Sequence, residues 1–217
     1  IKKIYKQLSI DDKSFPSRTT ASIISNAKNE LMQPDVYTGI ATGPIQQTAA
    51  KVFPLYQRLL KDNNALDFDD LIAKTVSMLE QNEHIRLRLQ EQFMYVLIDE
   101  YQDTNLAQYA IIKMLGARHE NICIVGDDAQ SIYSFRGATV QNILQFQDDY
   151  EDVKIVKLEQ NYRSTQTILN VANNVIGNNK NQIPKELWTS NNEGEKIILA
   201  RTMTDNDEGR FVADAIK

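Results

Sequence analysis

From about Met94 onward, short β-branched runs alternate with helical patterns and no hairpin turn signal separates them. The runs are Tyr95–Ile98, Ile122–Val125, Val153–Leu158 and Ile197–Ala200. The helical patterns between and after them are Leu106–Leu115, Val140–Phe146, Thr165–Ile176 and Glu208–Ile216. Strand followed by helix, repeated, predicts parallel strands joined by right-handed crossovers. Apolar character that is continuous rather than alternating predicts strands buried on both faces. The portion before Met94 reads as helical. Ile23, Ile24, Ala27 and Leu31 share one face behind Thr19 and Thr20 as caps, with Pro34 as a breaker. Gly39, Gly43 and Pro44 mark Tyr37 to Pro44 as a loop. A second stripe runs from Ala49 to Leu60, with Pro54 implying a kink or a helix start; a third runs from Phe68 to Leu79, and a short fourth covers Ile85 to Phe93. The fold class is α/β, with portions of a parallel sheet behind a helical amino-terminal segment.

Composition narrows the class without choosing a function. At 217 residues, 42% hydrophobic and 24% charged, the chain is long enough for one large domain or two small ones and is not of a disordered type. No apolar run approaches the roughly 20 residues that span a bilayer. The start at Ile1, without an initiator Met or an apolar leader, reads as an excised or processed piece. Cys123 is the only cysteine, which excludes an intrachain disulfide and a Cys-rich zinc site; within Ile122-Cys123-Ile124-Val125 it reads as a packed core thiol in a reducing, cytoplasmic compartment. A net charge of −5 and a pI near 5.2 argue mildly against nucleic acid as a partner, so any such claim rests on motifs.

Three stretches place polar side chains just past an apolar run, where open α/β sheets put their ligand sites. In Val96-Leu97-Ile98-Asp99-Glu100, an apolar strand ends in two acids. An Asp there holds Mg²⁺ and a Glu orients or deprotonates an attacking water in phosphate-hydrolysing enzymes. The bland alternative is a solvated corner with Asp103 or Thr104 capping the next helix. Past Val125-Gly126-Asp127-Asp128-Ala129, Gln130 offers an amide to a γ-phosphate. Tyr133, Phe135 and Arg136 then interleave aromatic faces with a cation, as a single-strand stacking platform does, or else form a core-facing aromatic pair with an ion-paired Arg. In Glu159-Gln160-Asn161-Tyr162-Arg163-Ser164-Thr165, Tyr162 offers a ring for a purine and Arg163 a planar fork for phosphate; a plain loop with Ser164 and Thr165 as caps is the alternative.

In their joint order, Asp-Glu-Tyr-Gln-Asp-Thr-Asn, Val-Gly-Asp followed by Gln-Ser-Ile-Tyr-Ser-Phe-Arg-Gly-Ala, and Glu-Gln-Asn-Tyr-Arg-Ser-Thr resemble motifs II, III and IV of the UvrD/PcrA/Rep helicases of superfamily 1. Leu66-Asp67-Phe68-Asp69-Asp70-Leu71-Ile72 resembles the segment before motif II, and the likeness covers nearly the whole chain. The resemblance implies a 3′-to-5′ ATP-dependent DNA translocase acting on single-stranded DNA and duplex junctions, with repair proteins as further partners. It divides the chain into a helical 1B-like segment (1–66), the carboxy-terminal part of RecA-like lobe 1A (67–150) and the start of lobe 2A (151–217). It implies Asp99 as the Mg²⁺ ligand with Glu100 beside it as catalytic base, and Gln130 as the link from γ-phosphate to DNA. Tyr133, Phe135 and Arg136 would contact DNA, Tyr162 would stack on adenine, and Arg163 would reach the γ-phosphate from the second lobe. Asp67, Asp69 and Asp70 need no role beyond capping and the helix dipole. Phe135 stands where relatives often carry Trp, and Asp128-Ala129 reverses the more familiar order.

A triphosphate cradle requires Gly-x-x-x-x-Gly-Lys-[Ser/Thr], and none of the eight glycines is followed by Lys. The later motifs of the second lobe are not found either. The expectation is therefore a helicase fragment without ATPase activity of its own, carrying an exposed sheet edge. The alternatives are part of an AddA/RecB-like helicase–nuclease subunit, or a non-catalytic remnant that binds DNA or a partner. The helicase reading expects the groups at 99, 100, 130 and 163 to face one cleft between two lobes.

Overall fold

The computed structural model describes residues 1–134, 137–180 and 182–216. The chain divides into two units, Ile1–Val153 and Lys154–Lys217. The first holds α1 (Lys2–Gln7), α2 (Ser17–Asn29), α3 (Pro34–Ile40), α4 (Pro44–Asp62), α5 (Phe68–Gln81), α6 (Glu83–Gln92), β1 (Val96–Ile98), α7 (Leu106–Gly116), β2 (Ile122–Ile124) and α8 (Gln141–Leu144). The second holds α9 (Gln166–Ile176) and α10 (Asp205–Ile216). The α/β class is as expected: a helix-rich chain with a small parallel sheet. No helix among the described residues is long and apolar enough to cross a membrane.

The amino-terminal core forms where α1, α2, α3 and α4 turn their apolar stripes inward. Ile4, Tyr5, Ile24, Ala27, Val52 and Phe53 are buried there. Tyr37 meets Phe53 edge-to-face at 6.3 Å, a favoured aromatic geometry. That contact accounts for one departure from expectation. Tyr37 to Ile40 is helix rather than loop, and Pro34 opens α3 instead of ending α2. Proline suits a first helical position because its φ is already helical and no N–H is required there. Pro44 opens α4 in the same way, and α4 continues through Pro54. Thr19 and Thr20 do not cap α2: Pro16 occupies the cap position, and the Ser17 N–H donates to Asp12 Oδ1 at 2.6 Å. Thr20 is instead buried against the Tyr5 hydroxyl, 2.7 Å away.

The sheet is smaller than the apolar runs predict. β1 and β2 pair in parallel with Val96 opposite Ile122 and Ile98 opposite Ile124. The runs at 153–158 and 197–200 form no strand among the described residues. In the second unit the only pairing described is an isolated parallel bridge between Gln160 and Trp188. A β run needs a neighbouring ladder to become a strand, and neither run has one among the described residues. Nor are β1 and β2 buried on both faces. Leu97 is 75% exposed, and Cys123, expected as a core thiol, lies exposed beside it.

A buried charge cluster ties the helical layer to the start of α5. The Lys28 ammonium, whose side chain is only 2% exposed, lies 2.6 Å from Asp67 Oδ2 and 3.1 Å from Asp70 Oδ1. The Tyr56 hydroxyl donates to Asp67 Oδ2 at 2.9 Å, and the Gln57 amide donates to Asp70 Oδ1 at 3.3 Å. Asp67 also caps α5, accepting from the Asp70 N–H at 2.8 Å. Next along α2, the Asn29 amide donates to Asp69 and accepts from the Asn105 amide at 2.8 Å, reaching the start of α7. The Asp67 carboxylate thus caps the helix, and with the Asp70 carboxylate it also holds a cation that periodicity did not single out.

Replacing Lys28 by Met leaves the buried Asp70 carboxylate without its cation and is expected to cost about 3–5 kcal/mol at neutral pH. Burial disfavours the Asp67 anion, but the bonds from Lys28, the Asp70 N–H and Tyr56 outweigh it and hold the group below its ordinary 3.8. Stability from a depressed carboxylate is complete above its unfolded value and is lost as pH falls through the folded one. The penalty for Lys28→Met, measured by urea unfolding, is therefore largest at neutral pH and shrinks below about pH 4. A penalty that does not change with pH would contradict this account.

Candidate active site

Parallel pairing brings the ends of β1 and β2 to the same edge. The ladder continues past the strands: the Val125 N–H donates to the Ile98 carbonyl at 2.8 Å, and the Tyr101 N–H donates to the Val125 carbonyl at 3.0 Å. Asp99-Glu100 and Gly126-Asp127 therefore emerge side by side. Asp99 and Glu100 are both exposed. The Glu100 N–H donates to Asp99 Oδ1 at 2.9 Å. Glu100 adopts a left-handed backbone, φ 51° and ψ 41°, which ends the strand and turns the chain into a single 3-10 turn, Tyr101–Asp103. A left-handed conformation is costly for a residue with a Cβ and persists only where its surroundings hold it.

Those surroundings begin with the next two residues. Tyr101 and Gln102 are each 1% exposed. The Tyr101 ring packs edge-to-face on Phe146 at 5.8 Å, and burial pushes its phenol well above the ordinary value. The Gln102 amide donates to Glu100 Oε2 at 2.7 Å and accepts from the Asp127 N–H at 3.0 Å. Asn105, not Asp103 or Thr104, caps α7. Its side chain accepts from the Gln108 N–H while the Gln108 amide oxygen accepts from the Asn105 N–H. Asparagine leads the N-cap preferences, and the two bonds satisfy each other's otherwise orphaned groups.

Past β2, Asp127 organises a second 3-10 turn, accepting from the Ala129 N–H at 3.0 Å and from the Gln130 amide at 2.8 Å. Gln130 itself is exposed. Tyr133 is also exposed, 37% of it, whereas Phe135 and Arg136 lie outside the described residues. The stretch is tied back to the first motif where Ala138 bridges Asn105 and the Asn142 amide donates to Thr104. Gly137 has a φ of +81° there, a conformation that favours glycine. Asp99, Glu100 and Gln130 are therefore brought together, the last through Asp127 and Gln102.

In the second unit, Tyr162 and Arg163 ride on a turn built by Asn161, whose side-chain oxygen accepts from the N–H groups of Arg163 and Ser164 at 2.9 and 2.7 Å. The turn is fixed to Trp188 by the Asn161 N–H, 2.7 Å from the Trp188 carbonyl. Tyr162 is 77% exposed, its hydroxyl 2.9 Å from the Gln160 amide oxygen, and Arg163 is exposed as well. Ser164 and Thr165 make no side-chain cap for α9. The first N–H groups of that helix, from Gln166 and Thr167, donate instead to the carbonyls of Asn192 and Glu193.

Chemically, the end of the parallel pair offers hard carboxylate oxygens next to a primary amide. No cluster of three or more His, Cys, Asp or Glu suited to a metal occurs among the described residues. Mg²⁺ asks for less: one or two carboxylates, with water and phosphate oxygens completing its shell. Asp99 and Glu100 fit that demand, whereas no residue pattern in the chain supplies a triphosphate cradle. Gln102, Asn105 and Trp188 are the structural participants that sequence reasoning missed. For Gln102 and Asn105 the only available signal was their place inside a motif.

Comparison with known proteins places these elements in a family. Residues 1–151 match the UvrD/REP helicase N-terminal domain, and residues 156–217 match the UvrD-like helicase C-terminal domain. The interval between the two matches contains the division between the structural units at Val153 and Lys154. The chain is 49% identical over 212 residues, 98% of its length, to the ATP-dependent DNA helicase PcrA of Staphylococcus aureus. It is 46% identical over 216 residues to the PcrA of Bacillus subtilis, and 44% identical over 217 residues to that of Leuconostoc citreum. It spans 29% of the length of each of these relatives. The chain belongs to the UvrD/REP helicase family.

Proposed function

We propose that these residues form the part of an ATP-dependent DNA helicase of the PcrA kind that couples ATP hydrolysis to 3′-to-5′ movement on single-stranded DNA. The observation that carries this reading is the meeting of Asp99-Glu100 and the Gln130 turn at one end of the parallel pair. The likeness to the PcrA helicases along the whole chain supports it. Residues 1–66 would be a 1B-like helical segment, 67–150 the carboxy-terminal part of a RecA-like lobe 1A, and 151–217 the start of lobe 2A. Such a protein works in the cytoplasm, in DNA repair, on single strands and duplex junctions and beside repair partners.

Each residue's part follows from its chemistry. Asp99 would supply a carboxylate oxygen to Mg²⁺, whose charge would offset that of the phosphates. Glu100 accepts a proton from the attacking water. Gln130 presents its amide to the γ-phosphate and, through the 131–138 segment, links that contact to Tyr133, Phe135 and Arg136 on DNA. Tyr162 stacks on adenine with its exposed ring, and Arg163 brings a guanidinium to the γ-phosphate.

In the full-length protein that carries this chain, Glu100→Gln is expected to lower ATP turnover by about 10²–10⁴-fold while nucleotide binding persists. Turnover at the level of the unmodified protein would end the catalytic reading. Tyr133→Ala combined with Phe135→Ala should weaken single-strand binding, measured by fluorescence anisotropy, by about 1–3 kcal/mol for each stacked base lost. Unchanged affinity would remove the DNA role assigned to these rings. The isolated 217-residue chain, without a Gly-x-x-x-x-Gly-Lys loop, is expected to show no DNA-stimulated ATP hydrolysis above buffer. A stimulated rate comparable to that of a complete relative would contradict the assignment.

A further inference from the structure

We propose that Gln102 is a positioning residue that locks the Glu100 carboxylate to the Gln130 turn, so that the two move as one unit. This deepens the reading of Glu100 and Gln130 given above and rests on it. Gln102 directly follows two exposed acids and the buried Tyr101, yet it is itself 1% exposed. Both ends of its amide are used. Nε2 donates to Glu100 Oε2 at 2.7 Å, and Oε1 accepts from the Asp127 N–H at 3.0 Å. Its main-chain carbonyl accepts from the Ser131 hydroxyl at 3.2 Å, on the far side of the same turn. Asp127 in turn accepts from the Gln130 amide at 2.8 Å. The result is an unbroken relay, Glu100 to Gln102 to Asp127 to Gln130.

Polarity and space fix the orientation of that amide. Rotating it by half a turn would set a carbonyl oxygen against the Glu100 carboxylate and an NH₂ against the Asp127 N–H, losing both bonds. The bond to Glu100 is charge-assisted, the stronger class of hydrogen bond. Gly126 leaves the room: a Cβ there would stand 2.7 Å from Gln102 Oε1 and 2.9 Å from Ile143 Cδ1. An exposed Glu on a left-handed backbone has several rotamers open to it; the buried amide selects one. A shift of the Gln130 turn then moves the Asp127 N–H, the amide and the carboxylate together.

The test uses the full-length protein with ATP, Mg²⁺ and single-stranded DNA, and two variants that divide the relay. Gln102→Glu keeps an acceptor for the Asp127 N–H but removes the donor to Glu100. Gln102→Met removes both at similar size. For Gln102→Glu the expected result is kcat lowered by about tenfold or more with KM for ATP nearly unchanged. Hydrogen–deuterium exchange of the 125–131 segment should then match the unmodified protein. For Gln102→Met, kcat falls and exchange of that segment quickens. Undiminished kcat in Gln102→Glu, or unchanged exchange in Gln102→Met, would overturn the proposal. If Gln102→Glu does not fold, the exchanged pair Glu100→Gln with Gln102→Glu decides, because it rebuilds the bond with donor and acceptor reversed. Recovery of folding supports the relay, and continued failure overturns it. Should Glu100→Gln alone retain full turnover, the catalytic reading falls, while the exchange measurement still judges Gln102 separately.

Discussion

The buried ammonium of Lys28 is the interaction on which the placement of the first unit depends. Two carboxylates from the first turn of α5 converge on it, with Tyr56 and Gln57 from α4 completing their hydrogen bonds. Three helices are thereby set in one register before any apolar packing is counted. A cation and its partners removed from water repay their desolvation only when the geometry is close and the remaining lone pairs are satisfied. Most of them are; Asp70 Oδ2 lacks a hydrogen-bond partner among the described residues. One residue further along α2, Asn29 extends the same set of contacts to Asn105. Asn105 caps α7 and bridges Ala138, so the helical layer is tied to the two loops that bear Asp99, Glu100 and Gln130.

Those loops divide their labour between neighbouring residues. Asp99 and Glu100 face solvent, where a metal and phosphates can reach them, while Tyr101 and Gln102 anchor the turn in the interior. In the second unit the same economy recurs in a different form. Tyr162 and Arg163 are exposed on a turn whose fixed points are Asn161 and its bond to the Trp188 carbonyl. Asn191 supports that turn from the other side, donating to the carbonyls of Ser164 and Tyr162. Gly194, with a φ of +74°, lets this supporting strand of chain pass close to Thr165, since a Cβ there would lie 2.5 Å from its hydroxyl oxygen.

Features whose physics is local were legible in the sequence. The stripe from Phe68 to Leu79 forms α5, Asp67 caps it and Asp69 and Asp70 lie in its first turn, because apolar spacing and cap chemistry act within a few residues. The parallel pairing of the runs near 96 and 122 followed from strand, helix, strand order. What depended on distant partners was not legible. An apolar run expresses a need for cover without supplying it, so Leu97 and Cys123 lie open and the runs at 153–158 and 197–200 form no ladder among the described residues. Pro34 reads as a breaker, yet it opens α3, whose Tyr37 packs on Phe53. The burial of Lys28 and Gln102 was not legible either, because it is created in part by residues tens of positions away.

A long polar side chain is buried only where its hydrogen-bonding groups find partners in the interior, since an unpaired buried amide or ammonium costs more than it contributes. Such burial therefore implies that the surroundings are arranged around it. At Gln102 the partners are a carboxylate on one motif and a main-chain N–H on the next, each 3.0 Å away or less. Neither partner is a hydrophobic neighbour that another side chain of equal volume would satisfy. The space beside the amide is kept open by a glycine rather than filled. An arrangement that uses a buried polar group where an apolar one would pack more cheaply favours a defined relation between two loops over maximal stability. In this chain those loops carry Glu100 and Gln130.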